Sequence, residues 1–192
     1  MSTIAIVLAA DQGEGFPTPK YTSQIRGVTL LDRVLSDVIE WPVDEVLVVL
    51  GADAAQVEET CDLNSVSVMV DPEWQEGSAA PLRAALDLVS RDRDVRRVVL
   101  ARGDQPEIGP AVVTDLLDAS RSSGAEAVIP KYRYAAGWPF VVNRGAWDLF
   151  LGLEGDANVH DVLVAHGTQI EELWIDRIAP TSYASPSDLP GS

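Results

Sequence analysis

Cysteine, histidine and basic residues are all scarce in this chain. Cys61 is the only cysteine among 192 residues, which excludes an intrachain disulfide and a cysteine-rich metal site. Its expected place is a small apolar packing position on a helix. The two histidines, His160 and His166, are six positions apart and so do not share a helix face for metal binding. Fourteen lysines and arginines stand against thirty aspartates and glutamates, a formal charge of −16. A field of that sign repels nucleic acid and anionic membrane surfaces and excludes both as partners. It also opposes a nucleoside triphosphate unless a metal ion or a few local cations offset it. The acids are spread along the chain rather than gathered into a tail, which reads as a solvated acidic surface. No apolar run reaches the roughly 20 residues of a membrane helix. The first segment, MSTIAIVLAADQGEG, lacks the basic start of a signal peptide. The expectation is a cytoplasmic protein.

Short β-branched runs alternate with amphipathic stretches. TIAIVLA from Thr3 and EVLVVLG from Glu45 read as buried strands, VSVMV from Val66 and RVVLA from Arg97 as further strands, and AEAVIP as another. Between them lie helical patterns. Thr29 can cap a helix carrying Leu30, Leu31, Val34, Leu35 and Val38 at three/four spacing. ADAAQVEETC, PLRAALDLV and AVVTDLLDAS follow. This alternation specifies an α/β protein with three α/β/α layers around a mostly parallel, Rossmann-like sheet. Ligands of such sheets sit at the carboxyl ends of the strands, which puts the loops starting at Asp11, Asp71 and Gly103 on one rim. After Pro130 the rhythm breaks, and KYRYAAGWPFVVNR reads as a turn entering an antiparallel strand. One domain over residues 1–179 and an irregular tail over 180–192 are expected.

The motifs on that rim carry a resemblance. The order is LAA, a loop and Lys20, then G-x-x-LL opening a helix, EG-x-x-x-x-LR, GDQP and G-x-P. It resembles the MobA/MocA-type nucleotidyltransferases that cap the molybdenum cofactor with a cytidylyl or guanylyl group. The resemblance covers nearly the whole chain and implies a fold like that of the nucleotide-diphospho-sugar transferases. By resemblance, Leu8, Ala9, Ala10, Asp11, Gly13 and Lys20 line the nucleotide's phosphates, with Lys20 stabilising charge that develops in transfer. Glu76, Gly77 and Arg83 belong to the second nucleotide loop. Asp104 of GDQP holds Mg²⁺, which needs only one or two carboxylates. Lys20 and Asp104 are the expected catalytic residues, and Lys20, Arg83 and Asp104 should converge on one cleft.

The resemblance is interrupted at the positions that face substrate. The family's LAAG-x-x-x-RMG-x-x-K reads LAADQGEGFPTPK here, with Asp11 for Gly, Gly15 for Arg and Pro17 for Gly. An acid beside a phosphate repels it by about 4 kcal/mol at roughly 4 Å and an effective dielectric of about 20; Asp11 can alternatively hold a metal. Losing the Arg removes a bidentate phosphate contact, and Pro17 removes an N–H donor. Ala80 and Pro81 replace two serines, Trp138 replaces a histidine, and Ala184 stands at a second metal carboxylate, near an Asp188 that supports a short helix start. Two functions stay open. One is nucleotidyl transfer from an NTP, CTP before GTP, to a phosphate-bearing acceptor such as molybdopterin. The other is a relative that binds a nucleotide, cofactor or partner without turnover. A homo-oligomer or a molybdoenzyme-maturation partner is left open.

Overall fold

The computed structural model describes residues 1–190. Its centre is a seven-stranded sheet of β1 (Ser2–Ala9), β4 (Glu45–Leu50), β5 (Ser67–Val70), β6 (Val95–Arg102), β7 (Ala127–Tyr132), β8 (Phe140–Asn143) and β9 (Ile170–Ile175). Their order across the sheet is β5–β4–β1–β6–β8–β7–β9. β1 pairs in parallel with β4 and β6, β4 with β5, and β7 with β9. β8 alone runs antiparallel, to β6 and β7, as the broken rhythm after Pro130 predicts. The unbroken apolar runs of β1, β4 and β6 follow from burial on both faces.

Two apolar layers flank the sheet. On one side, Leu31, Val34 and Leu35 of α1 (Leu30–Val38) pack with Val57 of α2 (Ala54–Thr60) and Val113, Leu116 and Leu117 of α4 (Pro110–Ser123). On the other, Leu82 and Leu86 of α3 (Ala79–Ser90) pack with Phe150 of α5 (Asp148–Leu151) and Leu163 of α6 (Val159–Ala165). The helices begin where the local chemistry allows. Thr29 caps α1 by accepting from Asp32 N at 3.1 Å, and Pro110 opens α4 where its missing N–H costs nothing.

A feature that the alternation did not reveal is a small hairpin, β2 (Gln24–Ile25) with β3 (Val28–Thr29). Its turn residues Arg26 and Gly27 have φ of 54° and 81°, the left-handed pair that twists a two-residue hairpin correctly. Arg26 is therefore turn chemistry, and it is exposed.

Topology places the ligand crevice. The chain leaves β1 toward β4 and β5, then returns to β6 on the other side of β1. The two connections diverge between β1 and β6, the switch point where open α/β sheets bind ligands. Leu100 of β6 is fully buried there, its backbone paired with Ile6 and Phe140. Leu100→Ala should cost about 2–5 kcal/mol in urea unfolding; a loss under about 1 kcal/mol would contradict this packing.

Candidate active site

The first loop leaves β1 with alternating faces, as a strand must. Leu8 and Ala10 line a cavity of about 320 Å³ at the switch point. Ala9 points the other way, fully buried, and a Cβ on Gly103 would come within 2.6 Å of its own Cβ. Gly13, at φ 67°, brings the loop back over Lys20: a Cβ there would lie 2.5 Å from Lys20 Cβ. The glycine thus creates the channel through which the lysine stem passes.

Lys20 starts a 3₁₀ turn, Lys20–Thr22, and is only 4% exposed. Its Nζ donates to Asp104 Oδ2 at 2.7 Å and to both Asp11 oxygens at 3.1 Å. Tyr21, also buried, donates its hydroxyl to Asp11 Oδ2 at 2.8 Å. Asp104 is held by a second cation as well: Arg102 Nε and Nη2 each donate to it at 2.8 Å, a bidentate clamp. Ser182 Oγ adds a bond to Asp104 Oδ1 at 3.2 Å, and Tyr183 N donates to the Asp104 carbonyl at 2.8 Å. Two cations and two carboxylates therefore form one cluster, and three of them, Asp11, Arg102 and Asp104, border the cavity.

The second loop serves a different purpose. Gly77 has φ 108°, and a Cβ there would sit 2.5 Å from the Gly155 carbonyl. That contact lets Ala79 N bond Gly155 O at 3.0 Å and Ser78 N bond Asp156 Oδ1 at 2.9 Å. Asp156 and Asn158, in the far wall of the cavity, follow directly from this junction, and Trp138 joins that wall from the connection between β7 and β8. Arg83 does not join Lys20 and Asp104. From the first turns of α3 its guanidinium donates to Leu153 O at 2.8 Å and pairs with Glu73 and Glu76 at 3.2 and 3.3 Å. Glu76 and Arg83 brace the loops from outside, and neither lines the cavity. Trp138 does line it, tilted on Phe140 at 4.5 Å between ring centroids. His160 and His166 lie apart from the cluster, on and after α6, while Cys61 is buried at the end of α2. Asp188 closes a capping box with Ser185 at the 3₁₀ turn Pro186–Asp188, the helix-start role its position suggested.

Residues 5–170 match the MobA-like NTP transferase domain. The chain belongs to that family. The bifunctional protein GlmU of Staphylococcus saprophyticus is 29% identical over 131 residues, 67% of this chain. The chain spans only 28% of that protein's length. Among solved structures, the Mycobacterium sp. strain JC1 homolog of Mycobacterium tuberculosis Rv0371c superposes with a TM-score of 0.87 at 29% identity, over 97% of this chain and 92% of that one. Rv0371c from M. tuberculosis H37Rv, solved in complex with manganese, gives 0.85 at 26%, over 98% and 96%. The fold is thus the nucleotide-diphospho-sugar-transferase type that the motif order implied.

Two residues of the cluster were not singled out from the sequence: Arg102 and Tyr21. A signal for Arg102 existed in its place at the end of β6, two positions before Asp104. For Tyr21 the only cue was adjacency to Lys20. Arg102 supplies a cation that the first loop lacks at Gly15.

A divalent ion does not fit Asp104 as arranged. Its oxygens already accept from Arg102 twice, Lys20 and Ser182. Asp11, the other carboxylate in reach, is turned onto the same ammonium. Among the described residues, no group of three or more His, Cys, Asp or Glu is placed to hold a metal.

Burial pushes the Asp104 carboxyl upward, but the Arg102 hydrogen bonds and charge, then Lys20, override it and bring its pKa down to about 2. Tyr21 goes the other way: burial first, then the charges of Asp11 and Asp104, hold its phenol well above the usual range, so it remains an O–H donor. Because the folded pKa of Asp104 lies below its ordinary 3.8, its contribution is present above about pH 4 and is lost as pH falls through about 2. Its size is about 2 kcal/mol. Urea unfolding between about pH 2 and 7 should show this acid limb in the wild type and not in Asp104→Asn; equal slopes in the two proteins would refute it.

Proposed function

We infer that this chain transfers a nucleoside monophosphate from a nucleoside triphosphate to a phosphate-bearing acceptor such as molybdopterin. The observation that carries the reading is the meeting of Lys20, Arg102 and Asp104 at the switch-point cavity, in a chain of the MobA-like NTP transferase family. CTP is favoured over GTP, because DPEWQEG resembles the second loop of the cytidylyl-transferring members. In the reaction, an acceptor phosphate oxygen forms a bond to the α-phosphorus. The bond from that phosphorus to the bridging oxygen of the β-phosphate breaks, and pyrophosphate leaves. No group of the chain becomes covalently attached, so catalysis reduces to positioning and charge stabilisation.

Lys20 stabilises the charge that gathers on the leaving pyrophosphate. Arg102 has one guanidinium nitrogen, Nη1, outside its clamp on Asp104, and offers it to the phosphate chain. Asp104 orients both cations rather than reacting. The Mg²⁺ ion that the family resemblance implies has no step in this reading, since the acceptor positions of Asp104 are filled. The opposite wall, Trp138, Asp156 and Asn158, faces the acceptor. The functional unit is residues 1–179, with Ser182 and Tyr183 of the tail reaching Asp104. No helix among the described residues is long and apolar enough to cross a membrane, and we place the reaction in the cytoplasm.

The second reading, binding without turnover, is favoured by the state of the cluster. Both cations are committed to carboxylates, leaving little positive field for a triphosphate. Two measurements separate the readings. Nucleoside triphosphates that bind must raise the melting temperature by mass action, and CTP should raise it more than GTP. Pyrophosphate release from CTP with molybdopterin should then fall about 100-fold or more in kcat/KM for Lys20→Ala. A CTP shift without product supports the binding module; no shift with any nucleotide removes both nucleotide readings.

A further inference from the structure

The Asp11 carboxylate stands where an incoming anion would. Both its oxygens accept from Lys20 Nζ at 3.1 Å, and Oδ2 also accepts from the Tyr21 hydroxyl at 2.8 Å. One ammonium and one phenol gripping two oxygens of a single anionic group is a donor set that suits a phosphate equally well. The members of the cluster differ in freedom. The side chains of Lys20 and Asp104 are 4% and 2% exposed, that of Asp11 56%. Lys20 is fixed along its stem by Gly13 and at its tip by Asp104. Asp11 borders the cavity and begins a stretch with no helix or strand before Lys20. Its neighbour Ala10 is anchored independently, through Ala52 N at 2.9 Å. The Asp11 side chain can therefore rotate into solvent without breaking the sheet or moving the lysine.

We propose that Asp11 is a built-in stand-in for phosphate: it occupies Lys20 and Tyr21 in the ligand-free protein, and the phosphate chain of a nucleotide must displace it. The inference rests on the reading of Lys20 as the phosphate-facing cation. Binding then exchanges one anion for another at Lys20. Affinity is set by how much better the phosphate satisfies the two donors than the tethered carboxylate does. The acid at this position weakens polyphosphate binding without removing the site, and it keeps the buried lysine paired when the cavity is empty.

Inorganic tripolyphosphate tests this without requiring turnover. In calorimetric titrations of the full chain, Asp11→Asn should bind it at least about tenfold more tightly than the wild type, about 1.4 kcal/mol. Glu14→Gln removes the same charge from an exposed position in the same loop and should stay within about twofold of the wild type. The proposal is overturned if Asp11→Asn binds no more tightly than the wild type, or if Glu14→Gln matches its gain. Turnover of CTP by Asp11→Asn reads the underlying function separately: tighter tripolyphosphate binding with no nucleotidyl transfer keeps this inference and removes the transferase reading.

Discussion

The buried ion pair between Lys20 and Asp104 is the constraint on which the rest of the site depends. It joins loops 84 residues apart at 2.7 Å, one leaving β1 and the other leaving β6. A buried pair of this kind is weak evidence for stability, because desolvation offsets most of its Coulomb energy. Its consequence is positional. With Lys20 held against Asp104, the first loop must fold over Gly13, Tyr21 must lie under the loop, and Asp11 must meet the ammonium from the solvent side. Remove Lys20 and Asp104 keeps only its Arg102 clamp; remove Asp104 and Lys20 keeps only the exposed Asp11.

Around that pair the molecule balances charge locally while carrying a large excess of acid globally. Lys20 and Arg102 offset Asp11 and Asp104, so the cluster is near neutral within a chain of formal charge −16. Such a surface discourages polyanions at long range, and only short-range donors can recruit one. Here those donors are sheltered: an ammonium under a loop, a guanidinium with one free edge and a phenol held in its neutral form. This differs from the family pattern that the first loop resembles, which has an arginine where Gly15 stands. The cation in this chain comes from β6 instead, and it enters already clamped to a carboxylate.

The opposite wall depends on a backbone contact rather than on charge. Gly77 touches the Gly155 backbone where a side chain on Gly77 would intrude, and the loop carrying Asp156 and Asn158 is set by that junction. Arg83, Glu73 and Glu76 then lock the outside of the same loops. Motif residues that resemble nucleotide ligands act here as braces. The first turns of a helix allow either role, and the Leu153 carbonyl within reach of Arg83 decides between them.

By itself the sequence determined the strands, the helices, their layering and the rim on which the site lies. Periodicity and turn chemistry are local, and the buried runs from Thr3, Glu45 and Arg97 leave little choice of architecture. Motif order also determined that Lys20 and Asp104 belong together. What only the tertiary structure decided was the partner of each charged group. Asp11 could repel a phosphate or hold a metal; it binds Lys20 and Tyr21. Arg102, just past the strand read from Arg97, clamps Asp104. Arg83 was expected at the cleft and turns outward. These pairings are made across the sheet switch point and between loops far apart in the chain. Their geometry comes from how closely chain segments approach at Gly13, Gly77 and Gly103, and no local pattern of residues encodes that distance.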